Sequence, residues 1–171
     1  LRREVFLHQD PQAAALLKTL GGEGIHLGRR ASGEAEFFFT CTSGGTGRFG
    51  QIMRYVPSPT EGRPGEAKQP GQLELFHESQ DPLLMDYADN LTVAPWGHLI
   101  ICEDRSGSKI NHLRGVTPEG QSYTLARLNA DTELAGACFS PDGRTLFVNA
   151  YAPGRTLAIT GPWGHAPLDL A

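Results

Sequence analysis

The stretch ELAGACFSPDGRTLFV, residues 133–148, contains the pattern that decides the fold of this chain. It begins with Glu133, continues with a short apolar run, turns at residues 141–143 (Pro-Asp-Gly) and ends in a second apolar run. Short apolar runs separated by Pro, Asp and Gly are typical of antiparallel strands joined by tight turns. The stretch therefore predicts a β-hairpin with a carboxylate at the start of its first strand.

The same pattern occurs twice more along the chain. Asp89 and Asn90 precede the copy in residues 91–102, and Glu23 precedes the copy in residues 24–39. Repeated units of short strands indicate a β-propeller, in which each unit forms one four-stranded blade. We therefore predict an all-β fold, a partial β-propeller of about three consecutive four-stranded blades that follows a short helical N-terminal segment.

The predicted segments follow from this repeat. Residues 1–22 contain Pro11 and an Ala- and Leu-rich run, which predict an N-terminal segment with a short helix. The other predicted segments are a partial propeller at 23–163, with blades at about 23–77, 89–128 and 133–163, and a tail at 164–171. A polar insert rich in Pro and Gly, residues 57–71, is predicted to be an exposed loop.

Three blades are too few to surround a channel, because propellers close with about four to eight blades. A partial ring leaves strand edges and apolar faces without partners. We expect the chain to be a piece of a longer protein whose remaining blades complete the ring. The alternative is that copies of the chain associate to complete it.

Composition excludes some classes of function. The 171 residues have a formal net charge of −4, which provides no basic surface for nucleic acid. No apolar run approaches the roughly 18–20 residues that a membrane-spanning helix needs, so no membrane span is predicted. The three cysteines, Cys41, Cys102 and Cys138, lie in apolar runs and are interpreted as small buried hydrophobic residues.

The polar residue at the start of each repeat is the candidate metal ligand. In a propeller the first strand of every blade lines the central channel, so Glu23, Asp89 or Asn90, and Glu133 are expected to converge on one axis. Carboxylate and amide oxygens are the ligands that calcium prefers. The sequence does not decide between Asp89 and Asn90, because this pair also commonly starts an Asx-turn.

A further charged group, Glu103-Asp104-Arg105, follows an apolar strand. An acid beside a base at a strand end is able to bind a metal, or to hold a phosphate through Arg105. We interpret the group as a charged turn. No residue of the sequence is identified as a catalytic nucleophile.

Several segments together resemble the PhoX-type alkaline phosphatases, which are bacterial secreted β-propeller proteins. The resemblance rests mainly on GEGI (22–25), FFFTCTSGG (37–45), GQIMRYVPSP (50–59), DNLTVAPWGHLIICED (89–104) and ELAGACFSPDGRTLFVN (133–149). These segments occur in one order over about residues 22–163, and they resemble the C-terminal portion of such proteins.

The resemblance implies iron and calcium as cofactors in the central channel, and hydrolysis of small-molecule phosphate monoesters. It also implies a periplasmic or extracellular location. We predict a fragment of a metal-dependent phosphatase, active as a phosphomonoesterase if the complete propeller forms. The alternatives are a non-catalytic calcium-binding scaffold and a calcium-dependent lactonase-like hydrolase, because Glu23 also resembles the channel glutamate of gluconolactonase-type propellers.

Overall fold

A computed structural model of the protein describes residues 4–6, 21–105, 107 and 110–163. These residues form three consecutive antiparallel sheets, and their helical content is one 3-10 turn at Glu66–Lys68. The all-β prediction is confirmed. In this part of the chain no helix has the length and apolar character needed to cross a membrane.

The first sheet has five strands in the order β1-β5-β4-β3-β2. The strands are β1 (Glu4–Phe6), β2 (Gly22–Arg29), β3 (Ala35–Cys41), β4 (Gln51–Val56) and β5 (Gln72–Glu78). The prediction of four strands was wrong here, because β1 pairs with the outer edge of β5. A run of three residues is too short to show strand periodicity in the sequence. The helix predicted in the N-terminal segment falls on residues 7–20, outside the described residues, as does the predicted tail at 164–171.

The second and third sheets are simple meanders, because each strand pairs with the next along the chain. The second sheet contains β6 (Ala88–Val93), β7 (Leu99–Glu103), β8 (Asn111–Val116) and β9 (Ser122–Leu128). The third contains β10 (Leu134–Phe139), β11 (Thr145–Ala150) and β12 (Arg155–Thr160). Within the described residues the third sheet has three strands. The insert between β4 and β5 is a mostly exposed loop.

The second sheet lies between the other two and shares one apolar core with each. Phe38 and Ile52 of the first sheet pack with Ile101 of β7. On the other side, Ile100 of β7 packs with Leu146 of the third sheet. Side chains of a strand alternate between its two faces, so β7 supplies both cores and all five of its residues are buried.

Each of the three meanders begins with one strand, and these strands are β2, β6 and β10. We call them the first strands. They lie side by side, β2 against β6 and β6 against β10. Gly24 allows the first contact, because a Cβ atom there would lie 2.8 Å from Cα of Asn90. The buried hydroxyl of Thr40 accepts a hydrogen bond from the Gly24 N–H (2.9 Å) and donates one to the carbonyl of Asp89. At the second contact, Oδ1 of Asn90 accepts a hydrogen bond of 2.8 Å from the N–H of Gly136.

The expectation of three buried cysteines was wrong for one of them. Cys41 and Cys102 are buried, whereas Cys138 is exposed. The pairing of β10 with β11 shifts register between Ala135 and Cys138, where Gly136 has φ of +62°. This irregularity reverses the alternation, so that Ala137 points into the core and Cys138 points out of it.

A pair of glycine substitutions on β2 tests the contact between β2 and β6. We expect Gly24→Ala to lower the free energy of unfolding by about 1–3 kcal/mol, because the new methyl group would meet backbone atoms of β6. Gly22→Ala is the matched control, since a Cβ at that position meets no atom within 4 Å and is expected to change stability by less than about 0.5 kcal/mol. Urea unfolding measures both, and equal effects would contradict the close packing described.

Candidate metal centre

The predicted ligand residues lie at, or just before, the starts of β2, β6 and β10. Glu23 is the second residue of β2, Asp89 is the second residue of β6, and Glu133 immediately precedes β10. Glu23 and Asp89 therefore lie within their strands, whereas the sequence pattern placed them just before. The three residues come from three different sheets.

Irregular pairing positions the first two of these side chains. The pairing of β2 with β3 shifts register between Gly22 and Ile25, and the pairing of β6 with β7 shifts between Ala88 and Leu91. A β-bulge adds a residue to one strand and re-aims its side chains, and bulges are common beside functional sites. The sequence signal for the first bulge is the pair of glycines around Glu23, because an isolated glycine inside a strand favours a bulge.

The electrostatics of Asp89 show that other carboxylates are near. Burial raises the pKa of the Asp89 carboxyl, and the negative charges of Glu23 and Asp104 raise that pKa further. A hydrogen bond from the Asn90 side chain acts in the opposite direction on the same pKa. Since Glu23 belongs to the first sheet and Asp104 to the second, the cluster spans the contact between these sheets.

Glu133 joins the same cluster from the third sheet. Burial is the largest cause that raises the pKa of the Glu133 carboxyl, followed by a side-chain hydrogen bond with Asp104. The charges of Asp89 and Glu23 raise this pKa as well. The structure therefore brings Glu23, Asp89 and Glu133 within electrostatic range of one another.

Asp104 is the member of the cluster that the sequence led us to interpret as part of a charged turn. It follows Glu103, the last residue of β7, and its N–H donates a hydrogen bond of 3.0 Å to the carbonyl of Tyr87. Tyr87 has φ of +52°, a strained conformation for a bulky residue, and its own N–H donates to the carbonyl of Phe49, in the loop between β3 and β4 of the first sheet. The strained residue thus fixes the backbone of Asp104 against both sheets.

The neighbours of Asp104 have different partners. Glu103 points into the interior, where its carboxylate accepts hydrogen bonds from Nε of Arg114 (2.6 Å) and Nδ1 of His112 (2.8 Å). Arg105 contacts Asp86. Of the three charged residues that were interpreted as a turn, Asp104 alone joins the carboxylate cluster through these interactions.

The side chain of Asn90 forms hydrogen bonds with its neighbours, and its oxygen is therefore not free to face the cluster. Its Oδ1 accepts the hydrogen bond from Gly136 that joins the second and third sheets, and its side chain also bonds to Asp89. One amide therefore fixes both the sheet contact and a cluster carboxylate. Asp89 and Asn90, between which the sequence did not decide, therefore have different hydrogen-bond partners.

A cleft opens beside the cluster, with a volume of about 180 Å³. Its lining residues are Asp104, Arg105, Gly107, Asp131, Thr132, Glu133, Tyr151 and Ala152. Two of the cluster carboxylates, those of Asp104 and Glu133, therefore border a space that a small solute is able to enter. We call this space the Asp104–Glu133 cleft.

The donor chemistry of the cluster fits a hard cation. Carboxylate oxygens are typical ligands of calcium. Burial raises the pKa of Asp89 and of Glu133 most, and a bound cation would relieve the repulsion between carboxylates that raises both pKa values further. The thiol of Cys102, near Asp89, has its pKa raised by burial to about 12 and is protonated at neutral pH. In the part of the chain that the structure describes, no group of three or more His, Cys, Asp or Glu side chains is already arranged to hold a metal ion.

Comparison with known proteins gives one match. The family model described as "Alkaline phosphatase PhoX" matches residues 4–154, which include all three sheets, apart from the last strand, and every residue of the cluster. No curated protein and no solved structure matches the chain.

The raised pKa of Glu133 makes a prediction about stability and pH. In the folded state its pKa lies above the unfolded value, so the stability it contributes is present below the ordinary range of Glu and is lost as pH rises through the folded pKa. We therefore expect Glu133→Gln to raise the melting temperature at neutral pH in a chelating buffer, and the gain to vanish in acid.

The matched control for this experiment is Glu119→Gln. A hydrogen bond from the Thr117 side chain lowers the pKa of Glu119, so its ionised form stabilises the fold and the Gln variant is expected to melt at a lower temperature at neutral pH. Thermal unfolding over a pH series measures both variants. Destabilisation of the same sign and pH dependence in both variants would show that Glu133 is not under repulsion.

Proposed function

We propose that this chain, which belongs to the PhoX alkaline phosphatase family, is part of a metal-dependent phosphatase that hydrolyses phosphate monoesters. The observation that carries this proposal is the coupling of Glu23, Asp89 and Glu133 across three sheets. Family membership gives the class of reaction, and the cluster gives the place for it. The proposed substrate is a small-molecule phosphate ester.

The proposed architecture is a partial β-propeller over residues 23–163, with the three sheets as consecutive blades. Two features support it. Each sheet from β2 onward is a meander, and the first strands pack against one another in chain order, as inner strands do around a channel. The boundaries at about 23–77, 89–128 and 133–163, with an N-terminal segment at 1–22 and a tail at 164–171, belong to this proposal.

The proposed calcium ligands are the carboxylates of Glu23, Asp89, Asp104 and Glu133. In this proposal Asn90, which the sequence offered as an alternative ligand, holds Asp89 in position instead. Bound cations would supply positive charge that neutralises phosphoryl oxygens and the leaving oxygen. Calcium is supported by the oxygen donors, and iron is proposed from the family alone.

The residues of the chain itself then have defined roles. Asp104 and Glu133 border the cleft, so a substrate in the cleft lies beside the cluster. Thr132 fixes this wall, because its hydroxyl accepts a hydrogen bond of 2.7 Å from the N–H of Ala152, and Tyr151 donates from its N–H to the carbonyl of Glu133 at 3.1 Å. These contacts fix the backbone of Glu133 beside the cleft.

The location and further partners are part of the same proposal. A periplasmic or extracellular location is proposed from the family. Ile25 and Leu27 of β2 are 66% and 45% exposed, and Phe147 of β11 is 36% exposed, which supports packing of the outer sheets against remaining blades or a second copy.

Calcium affinity tests the proposed ligands. We expect Glu23→Gln, Asp89→Asn and Glu133→Gln each to weaken calcium binding by about tenfold or more, because calcium affinity depends on the number of charged ligands. Glu119→Gln and Asp142→Asn, at turns outside the cluster, are expected to leave the affinity within about twofold. Isothermal titration of the full chain measures all five variants. Equal weakening in all of them would indicate general charge attraction instead of a site.

Hydrolysis assays test the reaction. We expect the chain loaded with calcium and iron to release p-nitrophenol from p-nitrophenyl phosphate, and removal of metals by a chelator to abolish this activity. Calcium binding without phosphate-ester hydrolysis would contradict the phosphatase proposal and favour the calcium-binding scaffold. Hydrolysis of a lactone panel in its place would favour the lactonase-like alternative.

A further inference from the structure

We propose that Arg105 is the phosphate-binding side chain of the Asp104–Glu133 cleft, and that it binds phosphate together with a cation held by the carboxylate cluster. This inference rests on the proposed function. It assigns one residue to the phosphate group of the substrate, and this residue is not among those proposed to bind the metal.

The position of Arg105 suits an anion in the cleft. Arg105 lines the cleft together with Asp104 and Glu133, and 53% of its side chain is exposed. The planar guanidinium is the side-chain group best matched to phosphate, since its N–H groups form two parallel hydrogen bonds to phosphate oxygens.

The buried carboxylate of Asp86 forms an ion pair with this guanidinium. Nε of Arg105 lies 3.1 Å from Oδ2 of Asp86, whose side chain is 5% exposed. Asp86 is itself fixed, because its N–H donates a hydrogen bond of 3.1 Å to the carboxylate of Glu103. The shortest contact of this ion pair is made through Nε of Arg105. Among the described residues, the guanidinium has no other ion pair within 4 Å, and Oδ1 of Asp86 has no hydrogen-bond partner.

The backbone at Arg105 is fixed to the opposite wall of the cleft. The N–H of Arg105 donates to Oδ1 of Asn111 at 3.0 Å, and Nδ2 of Asn111 donates to the carbonyl of Thr132 at 2.8 Å. Asn111 is 1% exposed. One buried amide thus sets the separation between Arg105 and the wall that contains Glu133, which gives the cleft a preformed width.

The charges of the cleft explain why a cation is needed. Three carboxylates line it, those of Asp104, Asp131 and Glu133, against the one guanidinium of Arg105. The carboxylates outnumber the guanidinium, which is itself paired with Asp86, so the excess negative charge repels a phosphate anion and a divalent cation would offset it. Phosphate and calcium are therefore expected to bind with positive coupling, each raising the affinity of the other.

The test is calorimetric titration of inorganic phosphate into the full chain, with saturating calcium and, separately, with a chelator. We expect wild-type protein to bind phosphate with calcium, and to bind it at least about tenfold more weakly with the chelator. Arg105→Gln is expected to weaken binding in calcium by about tenfold or more, because it removes hydrogen bonds to a charged group. Arg105→Lys keeps the positive charge that faces Asp86. Its phosphate affinity in calcium is expected to lie between those of wild type and Arg105→Gln.

Arg30→Gln is the matched control, since Arg30 is also partly exposed and paired with one carboxylate, that of Glu34, in the turn that follows β2. It is expected to bind phosphate as wild type does. Equal phosphate affinity in wild type and Arg105→Gln, no phosphate binding by wild type, or equal binding with and without calcium would each overturn the inference. Thermal melting of every variant, with Arg105→Lys as the charge-conserving substitution, separates lost binding from lost folding.

Calcium titration without phosphate separates this inference from the proposed function. We expect Arg105→Gln to retain calcium binding, and Glu133→Gln to lose most of it. Failure of wild-type protein to bind calcium would refute the metal proposal as well as the coupling. Normal calcium binding with unchanged phosphate affinity in Arg105→Gln would refute the assignment of Arg105 alone.

Discussion

The close contact between the first strands of the three sheets is the constraint on which the rest of the structure depends. It requires a residue without a side chain at Gly24, because any Cβ there would overlap the backbone of β6. It also requires hydrogen-bonding partners for the irregular backbone, and these are the hydroxyl of Thr40 and the amide of Asn90. With these groups in place, the backbone polar atoms freed by the bulges are paired and the sheets are able to approach.

This approach brings the carboxylates together. Glu23, Asp89 and Glu133 arrive from separate sheets, and Asp104 comes from the strand beside β6, so like charges accumulate where the sheets meet. Burial is the largest cause that raises the pKa of Asp89 and of Glu133, and the neighbouring negative charges raise both pKa values further. Carboxylate oxygens from three sheets beside a cleft are donors of the kind that hard cations prefer. Because the pKa of Asp89 and of Glu133 is raised, ionisation of these two groups weakens the fold as pH rises.

Local patterns in the sequence predicted most of this fold, and long-range contacts account for what they missed. Alternating apolar runs and turns that contain Gly, often with Pro, identified the strands from β2 to β12, because strand period and turn chemistry are local properties. The strand β1 depends on pairing with a distant partner, and the exposure of Cys138 depends on a bulge. Glu23, Asp89 and Glu133 were found because the pattern repeats, whereas Asp104 follows a second strand and has no counterpart in the repeat.

A crystal structure of the calcium-loaded full chain would show whether carboxylates from different sheets share a cation where β2, β6 and β10 meet. We expect calcium density between the sheets, with oxygens of Asp89 and of Glu23 or Glu133 at about 2.3–2.6 Å from the ion. Calcium bound away from these residues, with Glu23 and Glu133 directed to solvent in the loaded protein, would contradict this expectation.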